Sequence, residues 1–491
     1  MDCLSKSSYC RGVQCPKMLW LKKYRPEVFD ESVLRRSVLD TGSAVGDLAM
    51  GLFGDFTEVP FGDPGAMVAE TERLLSAGTK VIAEASFAAD GLFCSVDILK
   101  NLGGGAVELY EVKSSTKVTG IYRHDLAFQV YVLTRCGYQV QRSCLVLLNR
   151  GYERMGALDL QQLFTIEDLT EEARSMHGDV ENRIGALRRC LARTEEPADE
   201  IGMQCFDPYA CGFFSWCTRQ LPRPNVFSLA GLRKSAKFQL CRQGLAGFAE
   251  LEASGQLKAP QLQQVRHELG EETAPFLDRR QIRDFLRTLS YPLYFLDFES
   301  FQPAVPPYDH TRPYQQIVFQ YSLHWIECEG GALQHRAFLA RPGADPRRAL
   351  AEQLCRDIPR DVCTTAYNMA FEKSRIRELA ALYPDLREHL MNIHDRIADL
   401  LIPFRRRWYY CRAMQGSYSI KYVLPALFPD DPALDYHHLE GVHNGTEASD
   451  TFARMAAMTP EELETARGQL LRYCGLDTFA MVKVWEKLKE V

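Results

Sequence analysis

Two carboxylates one residue apart, Asp297 and Glu299, follow an apolar run that begins at Leu293. Because side chains alternate along a strand, a strand here would project both carboxylates from the same face. Tyr473 and Asp477 come much later in the chain, four positions apart, a spacing that a helix places side by side. Burying several carboxylates together is costly unless cations neutralise them, so the pattern predicts a metal site.

A second set of residues has similar chemistry. Asp97 lies near the end of one strand-like run, and Glu111 and Lys113 lie on the next run, after a glycine turn at 103–105. Two carboxylates at one sheet edge would hold Mg²⁺ or Mn²⁺. The lysine would then polarise the attacking water and stabilise charge at phosphorus. The alternative is an exposed cross-strand ion pair, which contributes little.

The elements that must position these residues indicate a mixed α/β protein. In the first part we expect strands at 81–87, 92–99, 106–112 and 143–148, with helices at 16–24 and 124–135. In the last part we expect strands at 293–297, 317–325 and 362–367, with helices after Phe371 and from Pro460 onward. The polar stretch between them predicts a helical connector, which gives domains at 1–221, 222–290 and 291–491.

Composition sets the class of protein. The 491 residues are 46% hydrophobic and 25% charged, which is typical of a globular protein with two or three domains. The net charge of -6 does not by itself indicate nucleic acid, although a local basic groove would suffice to bind it. No stretch reaches the ~20 apolar residues of a membrane helix, and the first residues lack signal-peptide features. We therefore expect a cytoplasmic protein with no membrane partner.

The first set of residues resembles the PD-(D/E)XK nuclease superfamily, and more narrowly its RecB-like branch, over residues 1–221. That resemblance implies a restriction-endonuclease-like fold in which Asp97, Glu111 and Lys113 are catalytic. The family also has a downstream helix that carries Gln and Tyr. Gln129 fits the glutamine, whereas the position four later is Leu133. Glu70 is a candidate for the family's upstream ligand.

Four cysteines come from two distant segments of the same region: Cys15 near the start, and Cys205, Cys211 and Cys217 later. Such a set would clamp the ends of a domain around an iron–sulfur cluster. It resembles the terminal cluster of RecB-like nucleases, including the CRISPR-associated and AddB types, which implies a [4Fe–4S] cofactor. A structural Zn²⁺ would use the same ligands. Unliganded core cysteines are the third possibility, and Cys10 is a nearby rival to Cys15.

The second set of residues resembles the DnaQ-like 3′–5′ exonucleases, in the variant that carries a tyrosine four positions before its last aspartate. The resemblance covers residues 291–491 and implies a ribonuclease H-like fold, a mixed sheet flanked by helices. Asp297, Glu299 and Asp477 would hold two Mg²⁺ or Mn²⁺ ions, and Tyr473 would position the attacking water. Glu372 stands where the family usually has aspartate. Asp395 and Asp399 are further candidates, and we expect both to lie in a helix.

These resemblances together imply a metal-dependent nuclease with two centres. We expect hydrolysis of phosphodiester bonds in DNA, with single strands or 3′ ends favoured. RNA 3′-end processing is an alternative, because the tyrosine variant also serves RNA. A catalytically weak scaffold that binds nucleic acid is another. The sequence indicates no particular protein partner.

Overall fold

A computed structural model describes the chain over residues 3–33 and 36–491, and the side chains at 36–40 and 437 fall outside that description. The chain divides into two compact units. The first unit is Met1–Gln220 together with Pro303–Gln315, and the second unit is Leu221–Gln302 together with Gln316–Val491. Within the described ranges, no helix combines the length and apolar character that crossing a membrane requires.

The first unit is a mixed sheet with helices on both faces. Its strands are β1 Leu4–Ser5, β2 Thr57–Glu58, β3 Val81–Ala89, β4 Leu92–Gly103, β5 Ala106–Lys113, β6 Gln139–Leu148 and β7 Phe164–Asp168. Its helices are α1 Lys6–Gln14, α2 Pro16–Tyr24, α3 Arg36–Met50, α4 Pro64–Ser76, α5 Gly120–Arg135, α6 Leu160–Leu163, α7 Thr170–Ser175, α8 His177–Leu191 and α9 Phe214–Cys217.

The strands of this sheet run in the order β2-β3-β4-β5-β6-β7, and β1 pairs with β4. The β5–β6 pairing is parallel, whereas β3–β4, β4–β5 and β6–β7 are antiparallel. One face packs against α4, α5 and α8 through residues such as Leu109, Phe128 and Ile184. The other face packs against α3, and it includes Ala304 from the segment Pro303–Gln315.

The second unit contains a sheet in the order β11-β10-β9-β12-β13 and a small ladder of β14 with β8. Its strands are β8 Phe276–Leu277, β9 Leu293–Phe301, β10 Ile317–Ile326, β11 Gln334–Leu339, β12 Cys363–Ala366, β13 Ile397–Asp399 and β14 Tyr409–Tyr410. Strands β9, β10 and β11 are antiparallel, whereas β12 is parallel to both β9 and β13.

Helices cover both faces of the larger sheet. They are α10 Lys234–Arg242, α11 Phe248–Ala253, α12 Ala259–Leu269, α13 Arg279–Leu286, α14 Arg347–Asp357, α15 Ala370–Leu382, α16 Arg387–Asp395, α17 Ile402–Arg405, α18 Ile420–Leu427, α19 Gly445–Arg454 and α20 Pro460–Lys489. Residues of α14, α15 and α16 pack on one face. Phe295 on the other face packs against Trp485 of α20.

Several sequence expectations for these elements are confirmed. The helix at Pro16–Tyr24, the hairpin turn at 103–105 and the long helix from Pro460 all form. Strand β9 runs beyond the expected end at Asp297, as far as Phe301. The placement of Asp399 in a helix is wrong, because this residue ends the short strand β13. Asp395 does lie in a helix, at the end of α16.

Candidate active sites

The second acidic site, which we define as Asp297, Glu299, Glu372, Tyr473 and Asp477, is centred on the face of β9 that α20 covers, and Glu372 is added from α15, which packs on the opposite face. Asp297 and Glu299 share a face with Phe295 because side chains alternate along the strand. Glu299 is buried and Asp297 is half-buried. In α20, the four-residue spacing places Tyr473 and Asp477 on one side of the helix.

Hydrogen bonds fix α20 against the neighbouring strand β10. Gln320 and Ser322 of β10 pair directly with Glu299 and Asp297 of β9. The Gln320 side-chain amide donates to the backbone oxygen of Leu470 at 2.8 Å, within the buried interior. The hydroxyls of Ser322 and Thr478 are 2.7 Å apart. These two bonds lie on either side of the part of α20 that carries Tyr473 and Asp477, so the helix is anchored before and after these candidate residues.

A tyrosine holds the Asp477 carboxylate. The Tyr436 hydroxyl donates to Asp477 Oδ1 at 2.7 Å, and Tyr473 lies one turn before Asp477 on α20. Burial raises the pKa of Asp477 to about 6, although the hydroxyls of both tyrosines and the charge of Lys421 oppose the rise. Tyr436 came from outside every motif that we recognised in the sequence. Its position is fixed by a short turn at 436–438 rather than by a regular element.

The carboxylates of this site raise one another's pKa. Burial and the charges of Asp477, Glu299 and Glu372 raise the pKa of Asp297 well above its usual value. Burial, followed by the charge of Asp477, raises the pKa of Glu299 to about 8. A like charge disfavours ionisation of its neighbour, and a dry environment strengthens that effect. In the absence of a bound cation, the site therefore retains protons at neutral pH.

Glu372 joins the site from α15. It is 3% exposed, and burial and the charge of Asp399 raise its pKa to about 8. Its Oε2 atom is buried and accepts no hydrogen bond. Asp399 is engaged differently, because its Oδ1 accepts hydrogen bonds from the backbone N–H groups of Asn368 and Leu401. Asp395 is exposed and pairs with His394, so it takes no part in the site.

Cys474 is a further member of the second acidic site that sequence reasoning missed. Ligand atoms of Asp297, Glu299 and Cys474 all lie within 4.8 Å of one another. The Cys474 sulfur is 3.9 Å from both the backbone oxygen and Oδ2 of Asp297. Its place beside Tyr473, on the helix that faces β9, was the available signal.

The first acidic site, which we define as Asp97, Glu111, Lys113, Asp125 and Gln129 together with Lys6, lies where β4 and β5 separate. The last paired residues before that point are Ile98 and Tyr110. Beyond them the Asp97 carboxylate accepts a hydrogen bond from the backbone N–H of Val112 at 2.7 Å, in place of a strand-to-strand bond. The next residue outward on β5 is Glu111, which therefore comes to lie beside Asp97.

Glu111 is the centre of this network and is 1% exposed. Its Oε1 accepts from the ammonium of Lys113 at 2.6 Å and from that of Lys6 at 2.8 Å. Its Oε2 accepts from the side-chain amide of Gln129 at 2.8 Å. Lys113 also donates to Asp125 at 2.6 Å. The sequence therefore identified Asp97, Glu111, Lys113 and Gln129, which the structure brings together, but missed Lys6 and Asp125.

A signal for Asp125 was present, because it lies four residues before Gln129 on α5 and its Oδ1 accepts from the same amide at 3.0 Å. Glu70 is not part of the site, because its carboxylate pairs with exposed Arg73 on α4. Leu133, at the position of the family's tyrosine, is a buried core residue.

Glu84 of β3 also belongs to the surroundings of Asp97. It has a positive φ of 56° and lies between the paired residues Ala83 and Ala85, opposite Asp97. Burial and the charge of Asp97 raise its pKa to about 7. Left-handed backbone is uncommon for a residue other than glycine, and such strain is concentrated at functional sites.

The cysteine pocket, defined by Cys15, Cys205, Cys211 and Cys217, is a separate small cavity in the first unit. All four residues line it, together with Met18, Leu21, Phe213 and Phe214. Burial raises the pKa of Cys15 and of Cys217 to about 11, and the charges of Cys205 and Cys211 add to both shifts. Within the described chain, no three of these four sulfurs lie within 4.8 Å of one another.

Cys10 does not line this pocket. It lies at the first acidic site, close enough to Asp125, Lys113 and Lys6 for their charges to act on the pKa of its thiol. Of the two early cysteines, Cys15 is therefore the one that lines the same pocket as Cys205, Cys211 and Cys217. All sixteen cysteines of the chain are free thiols.

Comparison with known proteins gives two similarities. A model for a domain of unknown function, DUF2779, matches residues 294–419. This stretch contains Asp297, Glu299 and Glu372, and it ends before Tyr473 and Asp477. The chain is also 26% identical over 229 residues to the uncharacterised protein UU173 of Ureaplasma parvum serovar 3. That match covers 42% of this chain and 32% of the relative's length.

Proposed function

We propose that this protein is a metal-dependent nuclease with two centres, which hydrolyses phosphodiester bonds of DNA and favours single strands or 3′ ends. The observation that carries the proposal is that Asp297, Glu299 and Asp477 converge where α20 covers the sheet, and that Glu372, from a helix on the other face, lies near enough for its charge to act on Asp297. These carboxylates come from a strand and two helices that are far apart in sequence. Gathering them without cations is unfavourable, so a role in stability alone does not account for the cluster.

The surroundings of the second acidic site support a DnaQ-like exonuclease of ribonuclease H-like fold. The second unit has a mixed five-stranded sheet flanked by helices, which is the architecture that this resemblance implies. The sheet carries the aspartate–glutamate pair on its first long strand. The last helix supplies the tyrosine and the final aspartate. Glu372 stands at the start of the helix that follows β12.

The residues of the second acidic site fit divalent metal ions. Glu372 keeps one buried oxygen without a hydrogen bond, and Asp297 and Glu299 place ligand atoms within 4.8 Å of each other. Asp297, Glu299 and Asp477 would hold Mg²⁺ or Mn²⁺, whose preferred ligands are carboxylate oxygens. When bound, the metal supplies an activated water and stabilises negative charge on the phosphate and the leaving oxygen.

Other side chains orient these ligands and the substrate. The hydrogen bond from Tyr436 to Oδ1 restrains the Asp477 side chain. Tyr473 would position the attacking water. The ammonium of Lys421 is anchored on the backbone oxygen of His443 at 3.1 Å, and its charge acts on Glu299 and Asp477. From this position the Lys421 ammonium would contact the anionic phosphate of a bound nucleic-acid strand.

The first acidic site supports a RecB-like nuclease of PD-(D/E)XK fold. The neighbouring central strands β4 and β5 carry Asp97, Glu111 and Lys113, and α5 adds Gln129. Asp97 and Glu111 would hold Mg²⁺ or Mn²⁺. Lys113 is held between Glu111 and Asp125, which fixes the ammonium where it would orient water and stabilise charge at phosphorus. Both oxygens of Glu111 already accept hydrogen bonds, so metal binding there requires one donor to move.

For the cysteine pocket we favour a [4Fe–4S] cluster over Zn²⁺. A zinc–sulfur bond is about 2.3 Å, so four sulfurs around zinc would lie roughly 3.8 Å apart. Within the described residues, no three sulfurs of this pocket lie within 4.8 Å of one another. A cluster of several iron atoms separates its thiolates further and suits the aromatic lining of Phe213 and Phe214. Free thiols throughout the chain also favour a reducing compartment such as the cytoplasm.

The proposed activity is tested with matched single strands of DNA and RNA, each labelled at one end, in the presence of Mn²⁺. The wild-type protein is compared with Asp97→Ala, Asp297→Ala and the double variant, with the exposed Asp430→Ala as the matched control. We expect the wild type and the control to degrade DNA, each single variant to lose one mode of cleavage, and the double variant to be inactive.

Other outcomes would change the proposal in distinguishable ways. Faster degradation of RNA than of DNA would favour RNA processing. Tight binding of either strand with no cleavage would favour a nucleic-acid-binding scaffold. Degradation that persists in the double variant would show that the activity comes from elsewhere, and it would refute the assignment of both sites. For the cysteine pocket, zinc in place of iron after anaerobic purification would reverse the choice of cofactor.

A further inference from the structure

Lys6 is a half-buried cation that the proposed chemistry leaves without a role. It is the first residue of α1, whose start is fixed by a hydrogen bond from the Ser8 backbone N–H to the Ser5 hydroxyl. Strand β1 precedes it and pairs with the beginning of β4. This placement points the Lys6 side chain along β4 towards Asp97. The helix start and the strand pairing together hold its backbone in place.

The Lys6 ammonium stands between the two carboxylates that would bind metal. It donates to Glu111 Oε1 at 2.8 Å and to the backbone oxygen of Ser95 at 3.1 Å, and it lies 4.0 Å from Asp97 Oδ1. The surroundings of a hard divalent cation would be similar, with two carboxylates and a backbone carbonyl. The ammonium therefore occupies a position whose neighbours are metal-type ligands.

The two lysines at Glu111 are not held equally. Lys113 is fixed from two sides, by Glu111 and by Asp125, each at 2.6 Å. Lys6 has one close carboxylate contact and one neutral carbonyl. Its flexible four-carbon stem lets the ammonium swing away while α1 stays in place. Of the donors on Glu111 Oε1, Lys6 is therefore the one that a metal would displace.

The charges of the first acidic site agree with this interpretation. Four carboxylates, those of Glu84, Asp97, Glu111 and Asp125, surround the ammonium groups of Lys6 and Lys113. The lysines neutralise half of that charge. The second acidic site lacks such a cation in direct contact, within the part of the chain that the structure describes, and its acids take up protons instead.

We propose that Lys6 is a tethered counter-cation, which fills the divalent-metal position of the first acidic site in the metal-free protein and is displaced when metal binds. The inference rests on the proposed function, since it presumes that Asp97 and Glu111 bind metal. It makes Lys6 a positioning residue that sets metal affinity. A site of this kind remains folded and charge-compensated without metal. It binds metal only when the free metal concentration is high enough to displace the Lys6 ammonium.

The test measures metal binding directly, in the full chain. Asp297→Asn and Asp477→Asn are combined to disable the second acidic site, so that bound Mn²⁺ reports on the first. Into this background we place Lys6→Met, which keeps the length of the side chain and removes the charge. The exposed Lys117→Met is the matched control. Free Mn²⁺ is counted by electron paramagnetic resonance during titration, without reference to nuclease activity.

We expect Lys6→Met to bind one Mn²⁺ about tenfold more tightly than its background, because the metal no longer competes with a unit charge at contact distance. Lys117→Met should bind as the background does. Lys6→Arg, which restores the charge, should return the affinity to that of the background or below. Unchanged or weaker binding by Lys6→Met would overturn the inference, and so would binding of a second Mn²⁺.

Thermal unfolding separates displacement from a structural role. In chelator, Lys6→Met should melt at a lower temperature, because the carboxylates of Glu111 and Asp97 lose a counter-cation. Saturating Mn²⁺ should then raise its melting temperature by more than it raises that of the background. A loss of stability that Mn²⁺ does not restore would show a structural lysine and overturn the proposal. If the background itself bound no Mn²⁺, the metal site at Asp97 and Glu111 would fail as well.

Discussion

Replacing Glu299 with glutamine should stabilise the metal-free protein while it removes a metal ligand. Burial and the charge of Asp477 raise the pKa of Glu299 from 4.5 to about 8. The folded protein therefore holds a proton that the unfolded chain releases above pH 4.5. Because the unfolded state binds fewer protons in this range, stability falls as pH rises from about 4.5 to about 8 and is constant above it.

The size of the effect follows from the shift. One pKa unit corresponds to about 1.36 kcal/mol. The pH of 7 is about 2.5 units above the pKa of 4.5 that the glutamate has in the unfolded chain. Glu299 therefore costs about 3 kcal/mol of folding free energy at pH 7 and almost nothing at pH 4. The side chain is only 7% exposed, so solvent screening reduces this little. Glutamine cannot ionise, and the substitution should recover that energy.

The assay is thermal unfolding in chelator at pH 4.5 and pH 7, with Glu464→Gln on the exposed side of α20 as the matched control. At pH 7 we expect Glu299→Gln to raise the melting temperature of the transition that includes the second unit by roughly 6–12 °C. At pH 4.5 the two proteins should melt together. With saturating Mn²⁺ at pH 7, the difference in melting temperature between the variant and the wild type should become smaller or change sign. The reason is that only the wild type offers the metal a full set of ligands.

Equal melting temperatures at pH 7, or a variant less stable than the wild type, would refute the reasoning. Either result would mean that the carboxylate contributes hydrogen bonds that offset its burial. A stabilisation of the same size at both pH values would also contradict it. Such a result would arise from improved packing rather than from removal of a charge.

Three further predictions concern single contacts. Tyr473→Phe should lower exonuclease activity at least roughly tenfold and leave the melting temperature in chelator nearly unchanged; retained activity would remove the tyrosine from the mechanism. Cys15→Ser should abolish the iron content and colour of anaerobically purified protein, whereas Cys10→Ser should keep both. Gln320→Met removes the hydrogen bond to the Leu470 backbone oxygen, so it should lower the free energy of unfolding in urea by about 1–3 kcal/mol. An unchanged free energy would show that α20 does not depend on this bond.

The part of the second acidic site that follows from local patterns could be predicted from the sequence. Alternation along a strand placed Asp297 and Glu299 on one face, and helical spacing placed Tyr473 beside Asp477. Tyr436 could not be found in this way. It reaches Asp477 from a short irregular turn, and no periodicity marks the direction of a side chain there.

The first acidic site also contains some residues that local patterns predict and others that only tertiary packing positions. Asp97, Glu111 and Lys113 lie on two strands joined by a glycine turn, so their proximity is a local property. Lys6 approaches from a helix at the start of the chain, and only the pairing of β1 with β4 fixes that approach. Glu84 depends on an irregular position within β3, where one positive φ redirects the strand. Such irregularities depend on tertiary packing, which a single sequence does not display.

The helix assignment for Asp399 was wrong for a related reason. Strand β13 spans only Ile397–Asp399 and follows directly after α16. An element of three residues is too short to show alternation, and its pairing with β12 is what makes it a strand. Long elements with a full period were therefore predictable, whereas short elements held by their neighbours were not.

The segment Pro303–Gln315 has a practical consequence for dissecting the protein. It leaves β9 and returns to β10, both of which belong to the second unit, yet it is part of the first. Ala304 is buried in the first unit's core, and Tyr314 donates a hydrogen bond to the backbone oxygen of Ser114 at 2.6 Å. A fragment cut after residue 220 would lack this piece and expose the apolar surface that it covers. Separate expression of the N-terminal half should therefore yield poorly soluble material unless the missing peptide is grafted back.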